Sequence, residues 1–485
     1  MSVMFDLRPV GYVIGLLIAA LGASMLMPMF IDLLQEDEHW TVFLTSALLT
    51  SLVGGLLSLS CANGVRERLN IQQTFLITTG VWFALPVFGA LPFLLGATEA
   101  RFVDGFFEAM SGLTTTGSTV FSGLQDLPRG LLLWRGLMQW FGGIGIIVVA
   151  MAFLPELRVG GMQIFRSEGF DTFGKILPRA GQIASRISVI YVALTGVCAL
   201  TYLSLGMEPF DSVVHAMTTV ATGGFANSDA SFGGYGAAIQ FTAVLFMILA
   251  ALPFVRYVQL LNGLAQPLVL DSQIRVFLIL TLAVSAVLIL WLAVTSNLPP
   301  GDALRYALFN GVSILTGTGY ASADYMLWGA FPVAVLFFAG LIGGCAGSTS
   351  CSIKVFRYQL LFASVRAQIR KIHSPHGIFQ PRYNGRPVAE DVLSSVMAFF
   401  VLFVVTLGIL TVLLAMTGLD STTALSGAAT ALANVGPGLG DKIGPAGNFG
   451  GLSDTAKWLL TAGMLVGRLE LMAVYVLLTV KFWRG

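Results

Sequence analysis

The sequence predicts an all-α, polytopic membrane protein in which four pseudo-symmetric repeats follow two extra N-terminal spans. Of its 485 residues, 56% are hydrophobic and 11% are charged, whereas soluble domains contain about 25% charged residues. Ten apolar runs reach the roughly 20 residues that a helix needs to cross a bilayer. Between them lie four short amphipathic segments, each ending in a glycine-containing strip. The net charge of +1 gives no indication of a nucleic-acid partner.

The ten predicted spans are defined by length and hydropathy. They lie at residues 9–34, 41–61, 73–98, 131–154, 188–206, 237–264, 276–298, 331–353, 393–417 and 458–481. The first exceeds the core of a signal peptide, about 7–15 residues, so it is interpreted as a retained span. The predicted units are an N-terminal two-helix appendix (1–70) and pore repeats 1 to 4 (71–160, 161–265, 266–375 and 376–485).

The basic residues predict the orientation in the membrane. With the N-terminus in the cytoplasm, 19 of the 26 Lys and Arg residues face the cytoplasm and 5 face outward, as the positive-inside rule requires. Both termini are therefore expected in the cytoplasm, and the four short segments on the outer side. Two arginines, Arg135 and Arg468, fall within spans. Arg135 lies near the outer end of its span and is expected to snorkel to the interface.

The four short segments resemble one another and are called half-helices 1 to 4. They lie near residues 104–116, 211–222, 302–316 and 420–434, and each starts at or beside an aspartate: Asp104, Asp211, Asp302 and Asp420. The strips that end them, strips 1 to 4, are TTGST (Thr115–Thr119), ATGGF (Ala221–Phe225), GTGYA (Gly317–Ala321) and NVGPG (Asn434–Gly438). Aligned in this way, the strips share a central glycine.

The pattern of half-helix and glycine strip predicts a cation site formed by backbone carbonyls. An aspartate at the N-terminus suits the positive end of the helix dipole, and the negative end favours a cation in the membrane. Glycine allows positive φ, so successive carbonyls can turn toward one axis. The predicted binding residues are Thr115, Thr116, Gly117, Ala221, Thr222, Gly223, Gly317, Thr318, Gly319, Asn434, Val435 and Gly436. One strip alone would equally suit a re-entrant turn that packs against neighbouring helices. Four such strips on the same side of the membrane favour a cation site.

Several motifs carry a resemblance to a known family. The stretches SGLTTTGST, TVATGGFAN, LTGTGYAS, LANVGPGLG, GLIGGCAGSTS and GRLE resemble the Trk/Ktr/HKT superfamily of potassium transporters, most of all its bacterial TrkH type. The resemblance implies a homodimeric, potassium-selective uptake channel of the bacterial inner membrane that binds the potassium ion and tolerates rubidium. It also implies a cytosolic nucleotide-binding regulatory subunit, TrkA-like. The basic segment Lys354–Arg386 suits docking of that regulator and contact with anionic lipid equally.

A second glycine-rich stretch, Gly340–Ser352, interrupts the span after strip 3. Glycine costs about 1 kcal/mol relative to alanine in a helix interior, so a continuous helix is disfavoured. The resemblance implies a gate loop below the filter, with Gly343, Gly344, Gly347, Ser348 and Thr349. Alternatively, Gly343 and Gly347 have the spacing of a close helix contact.

An arginine within a span is unusual and requires a reason. Arg468 costs at least about 2.5–3.5 kcal/mol in a membrane unless it faces a cavity or partner. The resemblance implies that it forms a barrier together with the gate loop, while ties to backbone carbonyls would be the structural alternative.

The residues disfavour two alternatives to a passive potassium pore. A proton- or sodium-coupled potassium symporter would need carboxylates at mid-membrane, and the spans offer almost none apart from Glu470. A membrane enzyme is not expected, because no nucleophile or metalloprotease motif is present. Neither an enzyme nor a structural scaffold would explain the four matched strips.

Overall fold

The computed structural model describes residues 6–64, 69–152 and 180–484. Within these ranges, seven helices are long and apolar enough to cross a membrane, and a bent pair forms an eighth such span. The predicted all-α, multi-pass fold is therefore confirmed. Several predicted cytoplasmic arginines and lysines, such as Arg158 and Lys175, lie outside the described residues, as does the predicted boundary between repeats 1 and 2.

The α-helices of the described ranges are, in chain order, Arg8–Ser24, Leu26–Leu34, Trp40–Cys61, Ile71–Gly89, Leu91–Leu95, Phe102–Leu113, Arg129–Ala152, Ala180–Ser204, Pro209–Val220, Ala237–Ala250, Phe254–Leu261, Gln266–Leu270, Ser272–Thr295, Pro300–Thr316, Ala330–Gly340, Val355–His373, Glu390–Met416, Ser421–Ala433, Gly440–Ile443, Asp454–Arg468, Met472–Leu477 and Val480–Arg484. Two short antiparallel strands, Arg382–Tyr383 and Arg386–Pro387, form a hairpin near the start of predicted repeat 4.

The N-terminal appendix packs through small residues. A Cβ on Gly15 would lie 2.6 Å from the backbone nitrogen of Ser58, and one on Gly54 would lie 2.4 Å from that of Ala19. Such close approach of helix backbones is typical of membrane helices. Asp32 then joins the appendix to repeat 1, because its fully buried carboxylate accepts hydrogen bonds from the Gly130 N–H (2.5 Å) and lies 2.9 Å from His39 Nδ1.

Three predicted spans are broken rather than continuous. The span predicted at 237–264 bends by 87°, at a break that includes Pro253, because proline cannot continue the helical hydrogen bonding. The helix that begins at Ala330 ends at Gly340, as the glycine-rich stretch predicts. The last span was predicted as continuous, and this was wrong: its helix ends at Arg468, and Glu470 and Leu471 adopt positive φ angles of 60° and 47°.

The four half-helices are present at Phe102–Leu113, Pro209–Val220, Pro300–Thr316 and Ser421–Ala433. Among these four aspartates only Asp420 caps its helix, accepting a hydrogen bond from the Thr423 N–H at 3.0 Å. This bond lowers the pKa of Asp420. Asp104, Asp211 and Asp302 lie in the first helical turn and make no capping bond. They still place negative charge at the positive end of the helix dipole.

Candidate functional site

The four strips share one backbone conformation. A left-handed residue lies one or two positions after the end of each half-helix, and a glycine with positive φ lies two positions after that residue. The pairs are Thr115 (52°) with Gly117 (86°), Thr222 (49°) with Gly224 (81°), Gly317 (73°) with Gly319 (81°), and Asn434 (52°) with Gly436 (110°). The residue inside each pair donates its N–H to the carbonyl five residues earlier: Thr116 to Ser111, Gly223 to Thr218, Thr318 to Ser313, and Val435 to Thr430.

This shared conformation corrects the predicted alignment of strip 2. The sequence alignment placed Gly223 opposite Gly117, Gly319 and Gly436, and it began the site of that repeat at Ala221. In the structure Gly224 has the equivalent positive φ, and Gly223 corresponds to Thr116, Thr318 and Val435. Ala221 is the residue that caps the half-helix and lies one position outside the shared pattern. The shift arose because the two adjacent glycines of strip 2 align equally well by sequence.

The four glycines and four carbonyls form a closed ring, called the strip ring. A Cβ on each positive-φ glycine would strike a carbonyl oxygen of the next strip. The distances are 2.3 Å from Gly117 to Gly223, 2.0 Å from Gly224 to Thr318, 2.0 Å from Gly319 to Val435, and 2.7 Å from Gly436 to Thr116. Strip 1 thus contacts strip 2, strip 2 contacts strip 3, strip 3 contacts strip 4, and strip 4 returns to strip 1. Only glycine fits these four positions without displacing the neighbouring carbonyl.

Cavities on the two sides of the strip ring differ in size. A vestibule of about 340 Å³ is lined by the four ring glycines Gly117, Gly224, Gly319 and Gly436 and by the chain that follows them. On the other side, the cavity lined by Asn434, Ser350 and Arg468 measures about 40 Å³, enough for only two or three waters. The ring is therefore open to a wide space on one side and nearly closed on the other.

The threonine hydroxyls beside the ring have partners of their own. Thr116 Oγ1 lies 2.7 Å from Thr114 Oγ1 and accepts a hydrogen bond from Asn434 Nδ2 at 2.9 Å. Thr318 Oγ1 lies 2.8 Å from Thr316 Oγ1. Because these hydroxyls bond to one another, the backbone carbonyls are the ring atoms best placed to receive a ligand.

A buried ion pair supports strips 1 and 2 from behind. Arg135 is 1% exposed, so the expectation that it snorkels to the interface was wrong. Its Nε donates to Glu108 Oε1 at 2.8 Å, and its Nη1 donates to the Ala226 carbonyl at 2.8 Å. Glu108 in turn accepts from the Val120 N–H at 3.0 Å. The pair thereby holds the chain just after both strips.

Replacing Arg135 with methionine should lower the free energy of unfolding by about 3–5 kcal/mol, because it leaves Glu108 buried and unpaired. Denaturant or thermal unfolding in detergent measures this loss. Arg129→Met is the matched control, because Arg129 and Glu208 form a solvent-exposed pair, which is worth at most about 1 kcal/mol. Equal losses in the two variants would contradict a structural role for the Arg135–Glu108 pair.

The predicted gate stretch is a non-helical loop between Gly340 and Val355, called the central loop. One side of it bonds to the break of the bent helix pair: the Cys345 N–H donates to the Ala251 carbonyl at 3.0 Å, and Thr349 Oγ1 donates to the Ala250 carbonyl at 3.0 Å. The helix-contact alternative for Gly343 and Gly347 is wrong, since neither glycine is helical.

The other side of the central loop bonds to the ends of two half-helices. Ser350 Oγ donates to the Thr316 carbonyl at 2.6 Å, and the Ser352 N–H donates to the Ala433 carbonyl at 2.8 Å. Within the loop, Ser348 Oγ donates to the Cys345 carbonyl at 2.7 Å. The loop thus lies across repeats 2, 3 and 4 directly beside the strip ring.

Arg468 contacts the remaining side of the central loop. It is 4% exposed. Its Nη1 lies 2.8 Å from Cys351 Sγ in the central loop, and its Nη2 donates to the Gly142 carbonyl at 3.3 Å. Cys351 Sγ also lies 3.3 Å from Thr115 Oγ1 in strip 1. Glu470, which follows the helix that ends at Arg468, pairs with Arg357 instead. Sequence reasoning missed Cys351, because a lone cysteine among small residues is most often only a buried apolar group.

These features define a multi-pass membrane protein whose four half-helices converge on a backbone ring with a loop beneath it. Comparison with known proteins identifies the family. The chain belongs to the TrkH family, described as cation transport proteins, and the sequence model of that family matches residues 39–484. The resemblance seen in the sequence is therefore confirmed.

Individual relatives are similar to this chain over nearly its full length. The chain is 45% identical to the Trk system potassium uptake protein TrkI of Halomonas elongata, covering 98% of this chain and 97% of that protein. It is 34% identical to the Trk system potassium uptake protein TrkH of Escherichia coli, covering 98% and 99%. The crystal structure of the potassium transporter TrkH from Vibrio parahaemolyticus superimposes with a TM-score of 0.90 at 33% identity, covering 99% of this chain and 100% of that one.

Proposed function

We propose that this protein is a potassium-selective uptake channel in which the strip ring is the selectivity filter. The observation that carries the proposal is the closed cycle of four glycines against four carbonyls. Carbonyl oxygens can replace the hydration shell of an alkali cation, and irregular backbone inside a membrane protein is stable where it lines a cavity. The full-length relatives named as potassium uptake proteins support potassium as the ion.

The central loop and Arg468 are proposed as the gate. The loop leaves only a small cavity beside the ring, and the Arg468 guanidinium places a positive charge there. Both features oppose the passage of a cation. The predicted gate residues Gly343, Gly344, Gly347, Ser348 and Thr349 all lie in this loop.

A passive pore is favoured over an ion-coupled symporter. Proton coupling needs a carboxylate that can gain and lose a proton along the path. The fully buried carboxylates Asp32 and Glu108, which sequence reasoning overlooked, are each held by hydrogen bonds or an ion pair, and Glu470 is paired with Arg357. The partners of these three carboxylates favour their charged forms.

The remaining parts of the proposal concern the cellular setting. We place the protein in the bacterial inner membrane with both termini in the cytoplasm, so that the vestibule faces outward. The helix Val355–His373 carries exposed Arg366, Arg370 and Lys371. This basic face suits a TrkA-like nucleotide-binding regulatory subunit, and we propose a homodimeric assembly.

Ion flux into liposomes containing only the purified chain tests the function. We expect potassium and rubidium flux well above sodium and lithium flux, with no accompanying proton movement reported by a pH-sensitive dye. Because the central loop can keep the pore shut, the same assay is run on a variant lacking residues 343–350, which should conduct more. A folded deletion variant without potassium flux would overturn the proposal.

A further inference from the structure

Gln139 is a fully buried glutamine on the helix Arg129–Ala152 that faces strip 2. Its Nε2 donates to the Gly223 carbonyl at 2.5 Å, and its Oε1 accepts from the Phe225 N–H at 3.0 Å. One side-chain amide therefore holds the backbone on both sides of Gly224, the ring glycine of this strip.

Strip 2 differs from the other strips in a way that explains this contact. The residue before the ring glycine is Thr116, Thr318 or Val435 in strips 1, 3 and 4, and each of those side chains is buried. In strip 2 this position is Gly223, which has no side chain to anchor it. A Cβ on Gly223 would lie 2.4 Å from the Gln139 side chain, so the amide occupies the space that a side chain takes in the other strips. Two adjacent glycines are otherwise the least restrained backbone in the ring.

The hydrogen bond also makes one carbonyl of the ring different from the rest. Among the described residues, no side chain donates to the carbonyls of Thr116, Thr318 or Val435, whereas the Gly223 carbonyl accepts from Gln139. A carbonyl oxygen has two lone pairs. Gly223 can therefore accept from the amide and still present its other lone pair to an ion.

We infer that Gln139 is a positioning residue for ion selectivity, fixing the Gly223 carbonyl from outside strip 2. This inference rests on the proposed function, because it assumes that the strip ring discriminates between cations. With the amide absent, strip 2 can move inward and close around a smaller ion such as sodium.

Gln139→Met removes the amide while keeping an unbranched side chain of similar length. Its potassium-to-sodium permeability ratio in liposomes should fall about three- to tenfold, the range that corresponds to one lost hydrogen bond. Gln240→Met is the matched control, since Gln240 is equally buried on the helix Ala237–Ala250 but bonds to the Phe232 and Tyr235 carbonyls. An unchanged ratio in Gln139→Met, or an equal fall in Gln240→Met, would overturn the inference.

A second variant covers the case in which Gln139→Met does not fold. In Gln139→Glu, the protonated acid can still donate to Gly223 and accept from Phe225, but the carboxylate can only accept. The permeability ratio should therefore be near that of the wild type in acidic buffer and fall in alkaline buffer, while the wild-type ratio stays level. A permeability ratio of Gln139→Glu that does not change with pH would contradict the positioning role of Gln139. Absence of selective potassium flux in the wild type and in its loop-deletion variant would instead refute the proposed function itself.

Discussion

Gly319→Ala should lower the potassium-to-sodium permeability ratio by at least about tenfold, which is equivalent to 1.4 kcal/mol. Gly319 has a φ of +81°, and a Cβ there would lie 2.0 Å from the Val435 carbonyl oxygen. A left-handed conformation costs an alanine roughly 1–2 kcal/mol, and the overlap with the carbonyl adds to this. The backbone must therefore shift, and the carbonyl that shifts with it belongs to the ring. Liposome flux under opposed potassium and sodium gradients measures the ratio.

Gly329→Ala separates this effect from general backbone strain. Gly329 has a φ of +94°, but no atom lies within 4 Å of a Cβ placed on it. Its substitution should strain the chain without touching the ring, leaving selectivity unchanged. If both variants lose selectivity equally, or if Gly319→Ala keeps the wild-type ratio, the strip ring is not the filter.

The same assay tests the corrected alignment of strip 2. Gly224→Ala should behave like Gly319→Ala, because its φ is +81° and its Cβ would lie 2.0 Å from the Thr318 carbonyl. Gly223→Ala displaces only the Gln139 side chain and should reduce the ratio no more than Gln139→Met. If Gly223→Ala lowered the permeability ratio more than Gly224→Ala, the alignment predicted from the sequence would be the correct one.

The helices and strips were readable from the sequence because their signals are local. Hydropathy marks the spans, and glycine after a short amphipathic helix marks each strip. The alignment of strip 2 was not readable, since Gly223 and Gly224 differ only in φ, which the packing of Thr318 and Gln139 around them decides. The break after Arg468 was missed for a similar reason: the sequence around Glu470 and Leu471 has no proline, and the turn depends on contacts such as Arg357 with Glu470.

Buried polar contacts were the least predictable feature. Arg135 and Glu108 are 27 positions apart and lie on different helices, so no periodicity connects them. Taken alone, Arg135 suggested a position at the membrane interface, and Glu108 was overlooked. Only the folded arrangement shows that their charges offset each other within the protein and position the chain behind the ring.

Arg468→Met should raise potassium flux by at least about tenfold. A unit charge about 4 Å from an ion is worth several kcal/mol at the effective dielectric of a protein site, so even a partly screened Arg468 opposes cation passage. Methionine removes the charge and also the contact with Cys351 Sγ that joins Arg468 to the central loop. Potassium uptake into liposomes, at equal protein incorporation, measures the change.

Arg468→Lys distinguishes charge from contact. Lysine keeps the positive charge but lacks the fork of donors that reaches Cys351 and the Gly142 carbonyl together. If the charge is the barrier, Arg468→Lys should conduct little more than the wild type while Arg468→Met conducts strongly. If both conduct equally, the contact with the central loop is what closes the pore. A folded Arg468→Met protein with unchanged or reduced flux would show that Arg468 is no barrier, leaving only a structural tie to the loop.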